Sequence, residues 1–440
     1  MTAGQRGSPW LEEFPRERPV VSLTEDQDAD VAIVGGGIAG LATAYHLLRG
    51  SELRVTVLEK DLVGHGATGH NGGQAVAASE ERLADLIRTA GEERTMQGYR
   101  EMDAALVALR TMLSAMGSSS LLTEVPGVIG IAEAGQLRSW REELDERREM
   151  GLEVSRAWVA DDLPGASVGG AEAVSRKRIA GLLWSRDLRY SAALEVPVAT
   201  INSYALVESL ASYLTQAFPD RCQIFERSPV ERIRMSEEEA AITCNRHLCL
   251  ADSVVLCTNG YRLPVIEACS PPLLGGRIKS VVGYMAGNED AMGAPGVRVY
   301  MPDEGAYFYL TRRRYKEGWL TAVGGPEGPI TGEYDPQRIY HSGAYERLGV
   351  FMERTLVDCR NPPDRRWQGL MGYTPTGVRV AGQDPGLPAL YYNIGCNGIG
   401  LLSAIAGGYR VGTIIRGEEL PPSMFDPEVL MKKEIVQRGL

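Results

Sequence analysis

Gly35, Gly37 and Gly40 stand at GxGxxG spacing, and Glu59 follows about twenty residues later. Glycines so placed bind the pyrophosphate of a dinucleotide. Gly35 permits the tight turn, Gly37 lets the backbone approach the phosphates, and Gly40 lets helix and strand pack closely. Ile38 and Ala39 open the helix whose N–H groups face the phosphates. Glu59 sits where an acid accepts a ribose hydroxyl, with Lys60 beside it. Two further stretches have residue types suited to wrapping a ligand. The first is Gly66-Ala67-Thr68-Gly69-His70-Asn71-Gly72-Gly73-Gln74; the second is Gly395-Cys396-Asn397-Gly398-Ile399-Gly400. A third constellation, Cys244, His247 and Cys249, has C-x-x-H-x-C spacing. It matches no standard zinc pattern and has no second pair at a suitable distance, so no metal is expected.

These residues need elements to hold them. The run 31–34 reads as a strand, the segment after Gly37 as a helix, and 54–58 as a second strand, which together form a βαβ unit. Residues 1–28, rich in Pro, Glu and Arg, read as an extended arm anchored by Trp10 and Phe14. Ser79 has the character of an N-cap, with Glu80 and Glu81 in the first turn of a helix. Helical periodicity follows over 93–116, 133–150, 204–217 and 336–355. Strand patterns occupy 223–225, 230–234, 240–243, 253–256, 277–286, 306–311, 319–323, 367–374 and 390–394. The triplet Arg312-Arg313-Arg314 reads as part of a solvated hairpin turn joining 306–311 to 319–323. The second glycine turn opens a helix over 401–415.

A chain of 440 residues exceeds one compact core, so two domains are expected. The net charge of −11 argues against a nucleic-acid partner. Seven scattered cysteines fit a reducing compartment. The N-terminal stretch has no apolar segment of the secretory kind and no apolar run reaches ~20 residues, so neither export nor a membrane is expected. The expected address is cytoplasmic.

Several segments resemble the FAD-dependent D-amino acid oxidase, glycine oxidase and sarcosine oxidase family, closest to the gamma-glutamylputrescine oxidase branch. They are the arm Pro15-Arg16-Glu17-Arg18-Pro19, the loop 66–74, Val254-Val255-Leu256-Cys257-Thr258-Asn259-Gly260-Tyr261, Trp367 through Thr376, the closing turn 395–400 and Phe425-Asp426-Pro427. The resemblance implies a mixed α/β fold: an FAD-binding Rossmann-like domain with an interleaved antiparallel-sheet substrate domain. The FAD domain would comprise 29–80, 200–262 and 365–418. The substrate domain would comprise 81–199 and 263–364, and 419–440 would form a tail.

The resemblance also implies FAD as cofactor, an amine or amino acid as substrate, and O2 as electron acceptor; the alternatives are a dehydrogenase that passes electrons to another carrier and, since Ile399 and Thr376 depart from the family pattern, a flavin-binding protein without turnover. It adds Val230, Thr258, Asn259 and Gly260 to the cofactor contacts. His70 keeps two readings. One is a covalent flavin link, as in dimethylglycine and sarcosine dehydrogenases; the other, preferred, is a noncovalent polar contact. The position of the sarcosine oxidase cysteinyl link is Gly369 here, which excludes that bond. Two residues depart from the family pattern: Ile399 replaces a frequent His and Thr376 a frequent Asp. Lys279, Tyr309 and Arg312 are the candidates for substrate-side chemistry, Lys279 toward oxygen and Arg312 toward a carboxylate.

Overall fold

The computed structural model describes residues 5–152, 156–163, 170–236, 239–290, 293–301, 307–359 and 362–431. Part of the tail, 432–440, and Ala306 of one expected strand lie outside them.

Two sheets meet across a cavity. The smaller has nine strands, and its centre is parallel. Gln27–Val34 lies between Val55–Leu58 and His247–Leu256, with Val34 level with Leu58 and with Leu256. Leu387–Ile394 runs parallel to His247–Leu256, and Cys222–Phe225 lies beyond Val55–Leu58. The carboxyl-terminal runs 31–34 and 254–256 of the two central strands are apolar and buried because both faces are covered there. The helices Ile38–Gly50, Ser203–Ala217 and Leu401–Ile415 contribute to one large apolar core on this side.

The larger sheet has eleven strands. It runs from Gln5–Arg6 through Arg365–Tyr373, Lys279–Asp290, Gly318–Pro329, Phe308–Tyr315, Gly296–Met301 and Leu122–Ile131 to Ala192–Ile201, and on to Ala157–Ala160 and Glu172–Val174. Gln74–Ala75 pairs with Ala192–Ile201. Side chains alternate between faces along a strand. In Lys279–Asp290, Val282, Tyr284 and Ala286 therefore pack into the cluster that includes Leu348 and Met352 of the helix Ala344–Thr355, whereas Gly283 and Met285 turn to the cavity. Segment 365–418 divides between the sheets. Arg365–Tyr373 pairs with Lys279–Asp290, whereas Val380–Asp384 and Leu387–Ile394 join the smaller sheet.

Three local expectations are corrected. Ser79 does not start a helix: its Oγ accepts from Glu81 N at 3.2 Å, closing a turn, and the helix is Leu83–Ala90. The arginine triplet belongs to the strand Phe308–Tyr315, and the hairpin turn is Lys316-Glu317, since Tyr315 pairs with Gly318. The helix expected over 336–355 begins only at Ala344. The arm forms a short helix, Pro9–Glu13, with Trp10 fully buried and Phe14 packed in the same cluster. Arg16 and Arg18 pair with the buried carboxylates of Glu208 and Glu226, which fixes the rest of the arm.

Candidate active-site cavity

The strands Gln27–Val34, Val55–Leu58 and His247–Leu256 end level, and each hands the chain to a turn that faces the same space, outside the carboxyl ends of the strands. At the first turn, a Cβ on Gly40 would lie 1.9 Å from the carbonyl oxygen of Gly35, so the helix starts against the turn only because that position is glycine. Glu59 accepts from Gly36 N at 2.7 Å and from Asp61 N at 2.9 Å, which places its carboxylate across the turn. Burial pushes that carboxyl up from its usual range. Thr68 Oγ1 accepts from Ile38 N at 3.1 Å and ties the second loop to the first helical turn.

The loop 66–74 is held from beneath by the arm. Trp10 Nε1 donates to Asn71 O at 2.7 Å, and Asn71 Oδ1 accepts from Gly73 N at 2.8 Å. His70 Nδ1 lies 2.9 Å from Gly66 O, so it carries the proton. Burial lowers the pKa of this imidazole and keeps it neutral. Gln74 Nε2 donates to Thr311 Oγ1 at 2.9 Å, and Thr311 Oγ1 donates to Gly72 O at 2.7 Å, which fixes the loop to the larger sheet.

Asn259 joins three segments. Its Nδ2 donates to Leu370 O at 3.2 Å and its Oδ1 accepts from Cys396 N at 3.0 Å. Asn397 Oδ1 accepts from Thr374 N at 2.8 Å. The turns at 258–260 and 395–400 and the strand Arg365–Tyr373 thus form one wall. Gly398 has φ +77°, and a Cβ there would lie 1.9 Å from Glu80 Oε1. Thr258 Oγ1 is buried in this wall with no hydrogen-bond partner.

The cavity is about 930 Å³ and partly open to solvent. Of the sequence candidates, Gly35, Gly37, Ile38, Ala39, Glu59, Lys60, Gly66, Ala67, Thr68, His70, Asn71, Gly72, Gln74, Val230, Thr258, Asn259, Gly260, Gly398, Ile399 and Gly400 line it, as does Tyr309. Gly40, Gly73, Gly395 and Asn397 are not in its lining; they support the turns that are. Lys279 and Arg312 are not brought to the cavity. Lys279 is exposed at the start of its strand. Arg312 is buried, donates to Thr321 Oγ1 at 2.9 Å and lies 4.7 Å from the Trp184 ring, since alternation turns it away from the face that bears Tyr309 and Thr311. Thr376 Oγ1 lies 3.3 Å from Thr374 Oγ1, inside the wall rather than on its surface.

Two functional groups escaped the sequence reading. Glu80 lies on the cavity wall, and its Oε1 accepts from Tyr307 Oη at 3.0 Å. The protein packed around it pushes its carboxyl up to about 7. Arg379 is buried, lines the cavity and donates to Asn393 Oδ1, Ser403 Oγ and Gly400 O. No carboxylate pairs with it among the described residues, and burial lowers it to about 10. Neither has a local motif; a burial signal for Arg379 would have required knowing that Val380–Asp384 is internal. Cys244 and His247 face each other across a hairpin, with Cys244 and Cys249 buried. Among the described residues, no group of His, Cys, Asp and Glu could hold a metal, and no helix is long and apolar enough to cross a membrane.

Residues 30–412 match the family described as FAD dependent oxidoreductase. Gamma-glutamylputrescine oxidoreductase of Escherichia coli is 47% identical over 69 residues, 16% of each chain. A probable oxidoreductase OrdL of Rhizobium meliloti is 32% identical over 142 residues, 32% of each chain. Each alignment thus spans less than a third, or about a third, of the curated relative. Among solved structures, glycine oxidase from Geobacillus kaustophilus superposes with a TM-score of 0.65 at 17% identity, covering 91% of this chain and 98% of that one. L-proline dehydrogenase from P. horikoshii also gives 0.65 at 17% identity, covering 94% and 100%. At that identity the likeness concerns the fold: a cofactor-binding sheet and a second sheet facing it across a cavity.

Proposed function

The chain belongs to the FAD-dependent oxidoreductase family, and from that premise we propose that it oxidises the C–N bond of an amine or amino acid. Bound FAD would supply the hydride acceptor for the C–H bond beside nitrogen, with molecular oxygen taking the electrons on to hydrogen peroxide and water hydrolysing the imine product. The residues present fit that cofactor. The glycine turn at 35–40 would cradle the pyrophosphate and Glu59 would meet a ribose, while the loops 66–74, 258–260 and 395–400, which line one cavity, would hold the isoalloxazine. The unpartnered Thr258 hydroxyl in that wall supports a polar ligand there, since buried polar atoms are otherwise paired.

The single observation that carries the reading is this convergence. Glycine turns from distant parts of the chain close one cavity, whose opposite wall presents a phenol and a carboxylate, Tyr309 and Glu80. The chain's part in the chemistry is to orient substrate between the walls, to exclude bulk water and to set the amine's protonation, because only the neutral amine reacts. FAD is proposed to be held without a covalent bond, with His70, tied through Nδ1 to Gly66 O, as a polar contact. Cytoplasmic placement is supported by the seven cysteines, all free thiols.

The test is to purify the protein with its flavin and add a panel of amines and amino acids without air. Bleaching of the flavin supports the reading. Peroxide under air then assigns the electrons to oxygen, whereas bleaching without peroxide assigns them to another carrier. Yellow colour released by acid precipitation supports noncovalent binding, and colour kept in the pellet overturns it.

A further inference from the structure

We propose that Glu80 is the group that receives the substrate's ammonium, and that the substrate is an alkylamine without a carboxylate on the reacting carbon. This rests on the oxidation reading above and names the substrate class for the same cavity. Glu80 is set on the wall by the 79–81 turn, in which Ser79 Oγ accepts from Glu81 N at 3.2 Å. Its Oε1 is held by Tyr307 Oη at 3.0 Å and lies against Gly398 of the last glycine turn. Among the described residues, no cation pairs with it.

The groups that act on it from neighbouring elements are phenols, acids and a thiol, and Arg379 lies on the same stretch of wall with its donors directed to neutral acceptors. From the strand Gly318–Pro329 comes Glu327, whose carboxylate accepts from Tyr373 Oη at 3.0 and 3.2 Å. Tyr309 and Cys396 lie close by, and Glu81 adds a second like charge. Lys279 acts on Glu327 from outside the cavity. Such a pocket attracts an ammonium and repels a carboxylate. The natural partner of a substrate carboxylate, Arg312, is stacked on Trp184 away from the cavity. Of the cavity's other cations, Lys60 lies 3.7 Å from the centre of the Tyr261 ring, Arg147 pairs with Glu143, Arg379 donates to neutral acceptors of its own wall, and Arg262 is exposed. Val76, Ile129, Val297, Val299 and Met301 on the same wall suit a carbon chain.

The step is a proton transfer. The substrate ammonium gives one proton to the Glu80 carboxylate, leaving a neutral amine beside a carboxylic acid. Burial and the charge of Glu327 and Glu81 raise the Glu80 carboxyl to about 7, so the exchange costs less than it would to an ordinary carboxylate.

Holoenzyme titrated with hexylammonium in a calorimeter, and bleached anaerobically with hexylamine or 2-aminoheptanoate, tests this. Hexylammonium should bind, tightening as pH rises through about 7 while Glu80 ionises. Hexylamine should exceed 2-aminoheptanoate in kcat/KM by about 10-fold or more. Glu80→Gln should weaken hexylammonium binding by about 10- to 100-fold with flavin content unchanged. Tyr307→Phe should shift the pH midpoint upward, because Tyr307 stabilises the carboxylate. A preference for 2-aminoheptanoate, or hexylammonium binding untouched in Glu80→Gln, overturns the inference. Glu80-dependent binding of hexylammonium with no bleaching by any compound would instead sink the oxidation reading and leave the ammonium site standing.

Discussion

The two walls of the cavity are built from different materials. The wall at the ends of the smaller sheet is mostly backbone: turns whose glycines let one segment touch another, stitched by Asn259 and Asn397. The wall on the larger sheet is side chains, Met285, Tyr309 and the alternating residues of Gly296–Met301, with Glu80 and Tyr307 at its edge. A backbone wall reads a cofactor's phosphates and rings, which are the same in every holoenzyme. A side-chain wall can change by single substitutions without moving the chain, and under the proposed function substrate choice would lie there.

That contrast can be broken most severely at Gly40. With a Cβ predicted 1.9 Å from Gly35 O, Gly40→Val should abolish flavin retention and much of the folded yield. A variant purified with a full flavin-to-protein absorbance ratio would contradict the backbone account. Next in size is Trp10→Ala, which opens a void in the cluster beneath the loop 66–74 and removes the shorter of two bonds to Asn71 O, leaving that from Trp367 Nε1 at 3.4 Å. It should cost about 3–5 kcal/mol in urea unfolding, and a loss under 1 kcal/mol would show that the arm is not what supports the loop. Gly398→Ala acts where the walls meet. The left-handed backbone alone costs about 1–2 kcal/mol, and the added methyl displaces Glu80. Flavin affinity should fall modestly and substrate KM rise, measured by flavin titration and steady-state kinetics. Smallest is Arg312→Met, away from the cavity. It removes a cation over Trp184, worth about 0.5–2 kcal/mol, and should lower thermal stability while leaving KM within about twofold.

The same division explains what the sequence revealed. The turn at 258–260 was legible only through the family resemblance, since Asn259 bonds the distant Leu370 and Cys396. The glycine spacing and Glu59 are local patterns, because each does its work within the first strand–helix–strand unit. The strand–helix order around Gln27–Val34, Ile38–Gly50 and Val55–Leu58 was legible for that reason. Glu80 was not. Ser79 followed by two acids has the composition of a helix start, yet the serine closes its own turn and Arg82 stays extended, so Glu80 is left on the wall. The arginine triplet was misplaced because three charges in a row suggest solvent. Here Arg312, Arg313 and Arg314 each lie over a tryptophan ring, Trp184, Trp10 and Trp319 in turn, which lets them stay in a strand. Arg379 had no local signal at all, since its partners come from Asn393 to Ser403.

The most direct measurement of the central claim is the anaerobic spectrum of the flavin-loaded protein on adding hexylamine. The account predicts that the flavin bleaches and that peroxide appears once air is admitted. A protein that carries its full flavin, yet keeps its colour unchanged with hexylamine and with every other amine or amino acid offered, would contradict it.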